Sequence, residues 1–330
     1  MKEDCCIDFV LPWVDDSDSQ WQAERRRYKG DDGGFMNAND ARYRDWGILK
    51  YWFRCVERNA SWVRKIHLVT CGHYPSWLNL NHPKLNFVKH EDYIPAKYLP
   101  TFSSHPIELN LHRIEGLAEQ FVYFNDDIFL LAPVKPTDFF KDGLPRDCGL
   151  RVFPVVYDVG LINLNDINII NREFNFKQQF KQNIWKWMNY RYGLQNIRNI
   201  LFWHYEYFTG AKVLHLANSY RKSTFEEVWQ KYGPELDQTC MHKFRSPLDV
   251  NQWLMKYWQV VKGDFFPQST NIGKHYFIND TNQLEHDLRA RRVKQVCFSE
   301  DDRMTDISQL KQKVINLFQQ YYPDKSSFEL

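Results

Sequence analysis

Along the first half of the chain, short apolar runs alternate with stretches in which apolar positions recur every three or four residues, the marks of buried strands and amphipathic helices. Residues 6 to 11 read as a strand that delivers Trp13, Asp15, Asp16, Ser17 and Asp18 into a loop. Residues 30 to 39 are glycine-rich and polar, the composition of a mobile surface loop. From 40 to 56, Tyr43, Trp46, Leu49, Phe53 and Val56 fall at helical spacing, with Asn39 or Asp40 as N-cap. Residues 65 to 70 and 85 to 88 read as strands. A further helix opens near Ser103 and Ser104, where Pro106 suits a first turn and Ile107, Leu111, Ile114 and Ala118 form one stripe. It feeds the run FVYFNDD, residues 121 to 127, in which four apolar residues end abruptly in Asn125, Asp126 and Asp127.

This alternation over residues 1 to 155 predicts an α/β fold, a Rossmann-like, mainly parallel sheet flanked by helices. Residues 156 to 209, rich in Asn, Gln and aromatics, read as a helical insertion with Phe176, Phe180, Ile184 and Trp187 at helical intervals. Residues 210 to 298 complete the core, and 299 to 330 form a closing helix with Ile307, Leu310, Val314 and Leu317 as its stripe and Pro323 as its stop.

Sites in such sheets gather at the carboxyl ends of strands, which singles out the acidic loops at 15 to 18 and 125 to 127. Three oxygen-bearing side chains at a strand end suit Mg²⁺ or Mn²⁺, which prefer oxygen ligands. Asn and Asp are equally good turn formers, and the residues alone leave both readings open. Further along, HLANSYRKSTFEEVW supplies His215, Arg221 and Lys222, and FRSPLDVNQW supplies Arg245. A His accepts a hydroxyl proton, and guanidinium or ammonium groups neutralise phosphate oxygens. HYFIND, 275 to 280, repeats the strand-to-acid pattern with Asn279 and Asp280.

Composition narrows the partners. The 330 residues, 43% hydrophobic and 25% charged, are ordinary for a soluble globular protein, while 16% aromatic is high and suits both core packing and sugar faces. A net charge of +2 argues against nucleic acid as a bulk electrostatic partner. Seven Cys lack zinc-site or CxxC spacing, and adjacent Cys5 and Cys6 suit a structural disulfide poorly, as expected of reduced thiols in a cytoplasmic protein. The start MKEDCCIDFVLPWV lacks the apolar core of a signal peptide, and no stretch approaches the ~20 apolar residues of a spanning helix, so membrane contact is expected to be peripheral. Lys177, Lys181 and Lys186 beside the aromatic stripe of the insertion would suit an anionic membrane, whereas packing on the protein's own core serves the stripe as well.

The second block, RYRDWGILKYWFRCVERNASWVRKIHLVTCGHYPSWLN followed by LPTFSSHPIELNLHRIEGLAEQFVYFNDDIFL, and the order of the blocks around 11–18, 42–127, 210–253 and 275–280 resemble the four conserved regions of the Stealth family. That family includes bacterial capsular and exopolysaccharide phosphotransferases and the animal lysosomal-enzyme N-acetylglucosamine-1-phosphotransferase. The resemblance implies that Trp13, Asp15 and Asp18, with Lys222, bind the nucleotide sugar. It further implies Asp126 and Asp127 as ligands of Mg²⁺ or Mn²⁺, with Asn279 and Asp280 a late contribution, His215 as general base, and Arg221 and Arg245 on phosphate. Pro12 and Asp16 stand where members often carry Thr and Gly.

The activity so implied is transfer of a hexose or N-acetylhexosamine 1-phosphate from a UDP-sugar to a glycan hydroxyl. It leaves a phosphodiester and releases UMP. The setting implied is capsular or cell-surface polysaccharide synthesis in the cytoplasm at the inner face of the plasma membrane, on a lipid-linked oligosaccharide. Two other classes use similar residues: a metal-dependent glycosyltransferase that moves only the sugar, and a non-catalytic carbohydrate-binding protein.

Overall fold

Strand β1 (Ile7–Pro12) is apolar at every position but Asp8, as a strand covered on both faces must be. It is central in the structure, a computed structural model that describes residues 6–29, 43–157, 159–301, 304 and 306–330. Beside it run β2 (Ile66–Thr70), β3 (Leu85–Lys89) and β4 (Gln120–Tyr123), all parallel, in the order β3-β2-β1-β4. After β4 the chain turns back through β5 (Ile128–Leu130) and a short hairpin of β6 (Phe140–Lys141) and β7 (Leu144–Asp147). Strand β8 (Asn218–Arg221) then closes the edge of the main sheet, antiparallel to β4. Finally β9 (Phe266–Pro267) pairs with β7, while β10 (Gly273–Phe277) and β11 (Gln295–Ser299) join β5 in a second sheet of order β10-β11-β5. The fold is α/β and Rossmann-like, with a mainly parallel sheet between helices.

Alternation along β1 divides the core. Ile7, Phe9 and Leu11 pack with helices Leu49–Asn59 and Ile307–Tyr321 and with the second sheet. On the other face Val10, Val69, Phe121 and Tyr123 pack against helices Val159–Glu173, Lys222–Met241 and Trp253–Lys262. Phe176, Phe180 and Trp187 belong to this second core, so the insertion packs on its own fold through most of its expected stripe. Ile184 is the exception and is exposed.

Two helices are shorter than their spacing predicts. The segment expected to be helical from 40 becomes so only at Leu49, because the Asp45 carboxylate accepts the Gly47 N–H (3.0 Å) and Gly47 adopts φ of 70°, a left-handed turn that interrupts a helix. The helix opening at Ser104 stops at Leu109, where the Asn110 side chain takes the Pro106 carbonyl (2.8 Å) and a 3₁₀ turn Leu111–Arg113 follows. The closing helix forms as expected, with Asp306 capping it by accepting the Gln309 N–H (3.2 Å). The caps Asn39 and Asp40 and the loop 30–39 lie outside the described residues, as does Cys5. Among the described residues the six Cys are unpaired thiols.

Candidate active site

The carboxyl ends of β1 and β4 lie side by side, at the point where a parallel sheet of this order opens a crevice. Backbone bonds extend both strands past their last paired residue: Trp13 donates to the Val69 carbonyl (2.9 Å) and Phe124 to that of Val10 (2.9 Å). Asn125, Asp126 and Asp127 then form the turn into β5. Its ends are tied by Ile128 N–H to the Asn125 carbonyl (3.1 Å) and Phe298 N–H to the Asp127 carbonyl (3.0 Å).

Two cavities meet at this turn. One, of about 320 Å³, is walled by the rings of Trp13, Trp21, Tyr43 and Phe102 and by Ser103 and Glu108. The other, of about 490 Å³, is walled by Arg44, Asp45, Trp46, His215, Ser299 and Glu300. Among the described residues, Trp13, Asp126, Asp127 and Arg245 border both.

Arg245 is carried by a loop that buried polar contacts hold in place. Asp249, fully buried, bonds His105 Nδ1 (2.8 Å) and His242 Nδ1 (2.6 Å) and accepts the Ser246 N–H (2.9 Å). Those bonds pin the loop to the start of helix Ser104–Leu109, where Arg245 Nη2 donates to Ser104 Oγ (2.9 Å). A buried charge satisfied on every side stiffens what it holds.

The cleft is rich in negative charge. Burial first, then Asp127, Asp45 and Glu300, push the Asp126 carboxyl up to about 7. The Asp126 side chain itself opens onto the cleft. Burial raises Asp127 to about 6 against the Cys297 thiol, which donates to it (Sγ···Oδ2 3.4 Å). Asp45 is raised by burial too, although the Gly47 N–H, Lys311 and Trp13 Nε1 (3.5 Å) favour its charged form. Glu300 is ion-paired with Arg44 and accepts from Trp46 Nε1 (2.7 Å). One oxygen stands out: Asp127 Oδ1 is buried with no hydrogen-bond partner.

His215 edges the second cavity, its ring 6.1 Å from Trp253 and 5.1 Å from the ring of His275. Burial and then His275 lower its pKa below the ordinary 6.5, which keeps it neutral near pH 7 and able to accept a proton. His275 in turn bonds Ser299 Oγ (2.5 Å).

Of the residues singled out in the sequence, the structure brings together Trp13, Asp126, Asp127, His215 and Arg245. Asp15 and Asp18 remain in their own loop: Asp15 accepts from Ser17 N–H (2.9 Å) and Oγ (2.6 Å), and Asp18 caps helix Ser19–Tyr28 through Trp21 N–H (2.8 Å). Arg221 and Lys222 require correction. Strand β8 runs antiparallel to β4, so Asn218 pairs with Tyr123 but Arg221 pairs with Gln120, at the other end of the sheet, roughly 15 Å or more from Asp126. There Arg221 binds Asp264 (2.5 Å) and Lys222 donates its N–H to the Glu119 carbonyl (2.8 Å). Asp280 is also occupied, capping helix Thr281–Ala290 by accepting Gln283 N–H (3.2 Å), and neither it nor Asn279 lines either cavity. The residue of that block that lines the second cavity is Ile278, while His275 stands behind it against the ring of His215.

Sequence reasoning missed Arg44, Asp45 and Trp46, which fell inside an expected helix, and Ser299 and Glu300, the last residue of β11 and the one after it. Two of the three lysines weighed for membrane contact are occupied otherwise, since Lys186 is buried against the Gly263 carbonyl and Lys177 pairs with Glu206 (2.5 Å).

Among the described residues no group of three or more His, Cys, Asp or Glu is arranged to hold a metal ion. Asp126 and Asp127 fit one as a pair: carboxylates raised by burial, Asp126 also by its neighbour Asp127, with Asp127 Oδ1 lacking a partner, form a site that a divalent cation would relieve.

A cleft at the switch point of a Rossmann-like sheet, with paired acids, an arginine and a histidine, has the makings of a group-transfer enzyme. Models of the Stealth protein conserved regions match the chain: region 1 over residues 7–33, region 2 over 42–147 and region 3 over 214–260. It is 41% identical over 324 residues to the capsular polysaccharide phosphotransferase WcwK of Streptococcus pneumoniae, covering 98% of both chains. It is 38% identical to the receptor polysaccharide phosphotransferase WefC of Streptococcus oralis, covering 98% of this chain and 99% of that one. The exopolysaccharide phosphotransferase cps2G of Lactiplantibacillus plantarum is 36% identical, with 98% and 96% covered. Among solved structures, galactosyltransferase LgtC in complex with donor and acceptor sugar analogs aligns over 94% of this chain and 95% of its own, at 11% identity and a TM-score of 0.38. The chain belongs to the Stealth family. It is an enzyme of the sugar-phosphate transferase class.

Proposed function

We propose that this enzyme transfers a hexose or N-acetylhexosamine 1-phosphate from a UDP-sugar to a hydroxyl of a glycan, in the synthesis of a capsular or other cell-surface polysaccharide. The observation that carries the reading is the pair of cavities joined at Asp126, Asp127 and Arg245. The first, with four aromatic rings, suits a base and ribose; the second, polar and edged by His215, suits a sugar acceptor. Their junction is then where the diphosphate sits.

In this reading the neutral ring of His215 takes the proton of the acceptor hydroxyl as its oxygen bonds to the phosphorus that carries the sugar. The bond from that phosphorus to the bridging oxygen breaks, UMP leaves with the oxygen, and the sugar keeps its anomeric C–O bond. Arg245 binds phosphate oxygens and stabilises charge that grows on them. Asp126 and Asp127 would hold Mg²⁺ or Mn²⁺, whose chemistry is to neutralise the diphosphate and its leaving group. Trp13, between the cavities, orients the donor, and a lipid-linked oligosaccharide is the acceptor that such a synthesis supplies.

The nucleotide product tests the reading. With a panel of UDP-hexoses and UDP-N-acetylhexosamines and a glycan acceptor, UMP and a phosphodiester product are expected. UDP with a glycosidic product would replace it by sugar transfer alone.

A further inference from the structure

Of the twenty-one large hydrophobic side chains exposed among the described residues, fourteen fall between 153 and 207. Phe153, Tyr190, Leu194 and Leu201 are each more than three-quarters exposed. One short helix of this region is turned inside out, and a second exposes half of its apolar residues. In Asn196–Leu201 the buried residue is Asn199, which donates to the carbonyls of Gly149 (2.6 Å) and Trp187 (2.5 Å) and accepts the Arg151 N–H (2.9 Å). Its apolar residues Ile197, Ile200 and Leu201 point outward. In Ile184–Trp187, Trp187 and Lys186 are buried while Ile184 and Trp185 are exposed. A helix that faced only water would bury the opposite side. An apolar surface of this extent marks a contact with another apolar phase.

Charge says which one. Between residues 174 and 205 there are five Lys or Arg and no Asp or Glu. Lys181 and Arg198 are exposed in this segment, and Trp185, Tyr190, Trp203 and Tyr205 are rings of the kind that settle at a bilayer's headgroup level. Among the described residues no helix is long and apolar enough to cross a membrane, so such a surface would lie on a bilayer. We infer that residues 153–157 and 184–207 form a docking surface for an anionic lipid bilayer, with Ile197, Ile200 and Leu201 entering the interface and Lys181 and Arg198 meeting lipid phosphates. From Tyr207 the chain reaches His215 in eight residues, a span of at most about 28 Å, which keeps the second cavity within reach of the membrane.

The test uses the full chain and vesicles, with no donor or acceptor present. Wild-type protein is expected to co-sediment with phosphatidylglycerol vesicles, at least tenfold less with pure phosphatidylcholine, and to be released as salt rises. Leu201→Glu and Ile200→Glu should lower vesicle binding at least tenfold with unchanged melting temperature, and Arg198→Glu should weaken it. No binding to anionic vesicles, or undiminished binding by Leu201→Glu, would overturn the inference. So would a wild-type dimer that Leu201→Glu dissociates while vesicles capture neither protein, since a second copy would then be the cover. Because no substrate is present, failure of the proposed reaction leaves this result untouched.

Discussion

Arg221 and Arg245 show how little sequence distance says about reach. Arg221 is six residues from His215, yet an antiparallel strand carries it to the far end of the sheet, while Arg245, thirty residues on, returns to the junction of the cavities. Arg245→Ala is therefore expected to lower kcat/KM by on the order of 10²-fold, the scale for losing one preorganised charge partner. Arg221→Ala should stay within about threefold of wild type, because it removes a partly exposed ion pair with Asp264. Steady-state kinetics on both variants checks this, and equal losses would put the phosphate contact elsewhere. Residues at strand ends, such as Trp13, Asp126 and Asp127, could be picked out because an apolar run that stops in polar side chains marks both a buried strand and its exit. Asp45 could not, since its periodicity is helical and only its bond to Gly47 breaks the helix.

At the scale of elements, β1 depends on one charge in its middle. Asp8, fully buried, accepts from His67 Nε2 (2.9 Å), Arg64 Nε (2.9 Å) and Ala118 N–H (2.8 Å), binding β1 to β2 and to the approach of β4. Burial alone would raise its pKa, but the bonds to His67 and Arg64 outweigh burial and hold it below the ordinary 3.8. A carboxyl depressed in the folded state adds stability at all pH above its unfolded value and loses it as pH falls through the folded value. Asp8→Ala should thus cost about 3 kcal/mol at pH 7, as expected when one partner of a buried pair is removed. The difference from wild type, read by denaturant unfolding, should narrow only below pH 3.8; narrowing already at pH 5 to 6 would contradict the assignment. The parallel strands themselves were legible as continuous apolar runs. The return of β8 was not, because four residues of mixed polarity carry no periodicity that fixes direction.

For the whole molecule, the acidic junction couples stability to cation binding. A divalent ion held by Asp126 and Asp127 binds the folded state, and at about 100 times its Kd it would add about 2.7 kcal/mol. In a chain of this size that corresponds to a rise in Tm of roughly 4 °C. A thermal scan in Mg²⁺ or Mn²⁺ with UDP, against the same scan in chelator, is expected to show the rise in wild type and not in Asp126→Asn or Asp127→Asn. A wild-type scan indifferent to both ions would remove the metal from the reaction.

The near-separation of the two cavities has a consequence for diversification. Apart from four shared side chains among the described residues, their walls come from different stretches of chain, one from around residues 12–21, 69–71, 90, 101–108 and 123–125 and the other from 44–49, His215 and 278–300. Substitutions outside the shared four that reshape one recess leave the other's lining intact. A lineage built on this chain can exchange one ligand for another while keeping its second ligand, and selection for new surface chemistry would leave its record in residues 278–300 and 44–49 rather than around Trp21 and Phe102.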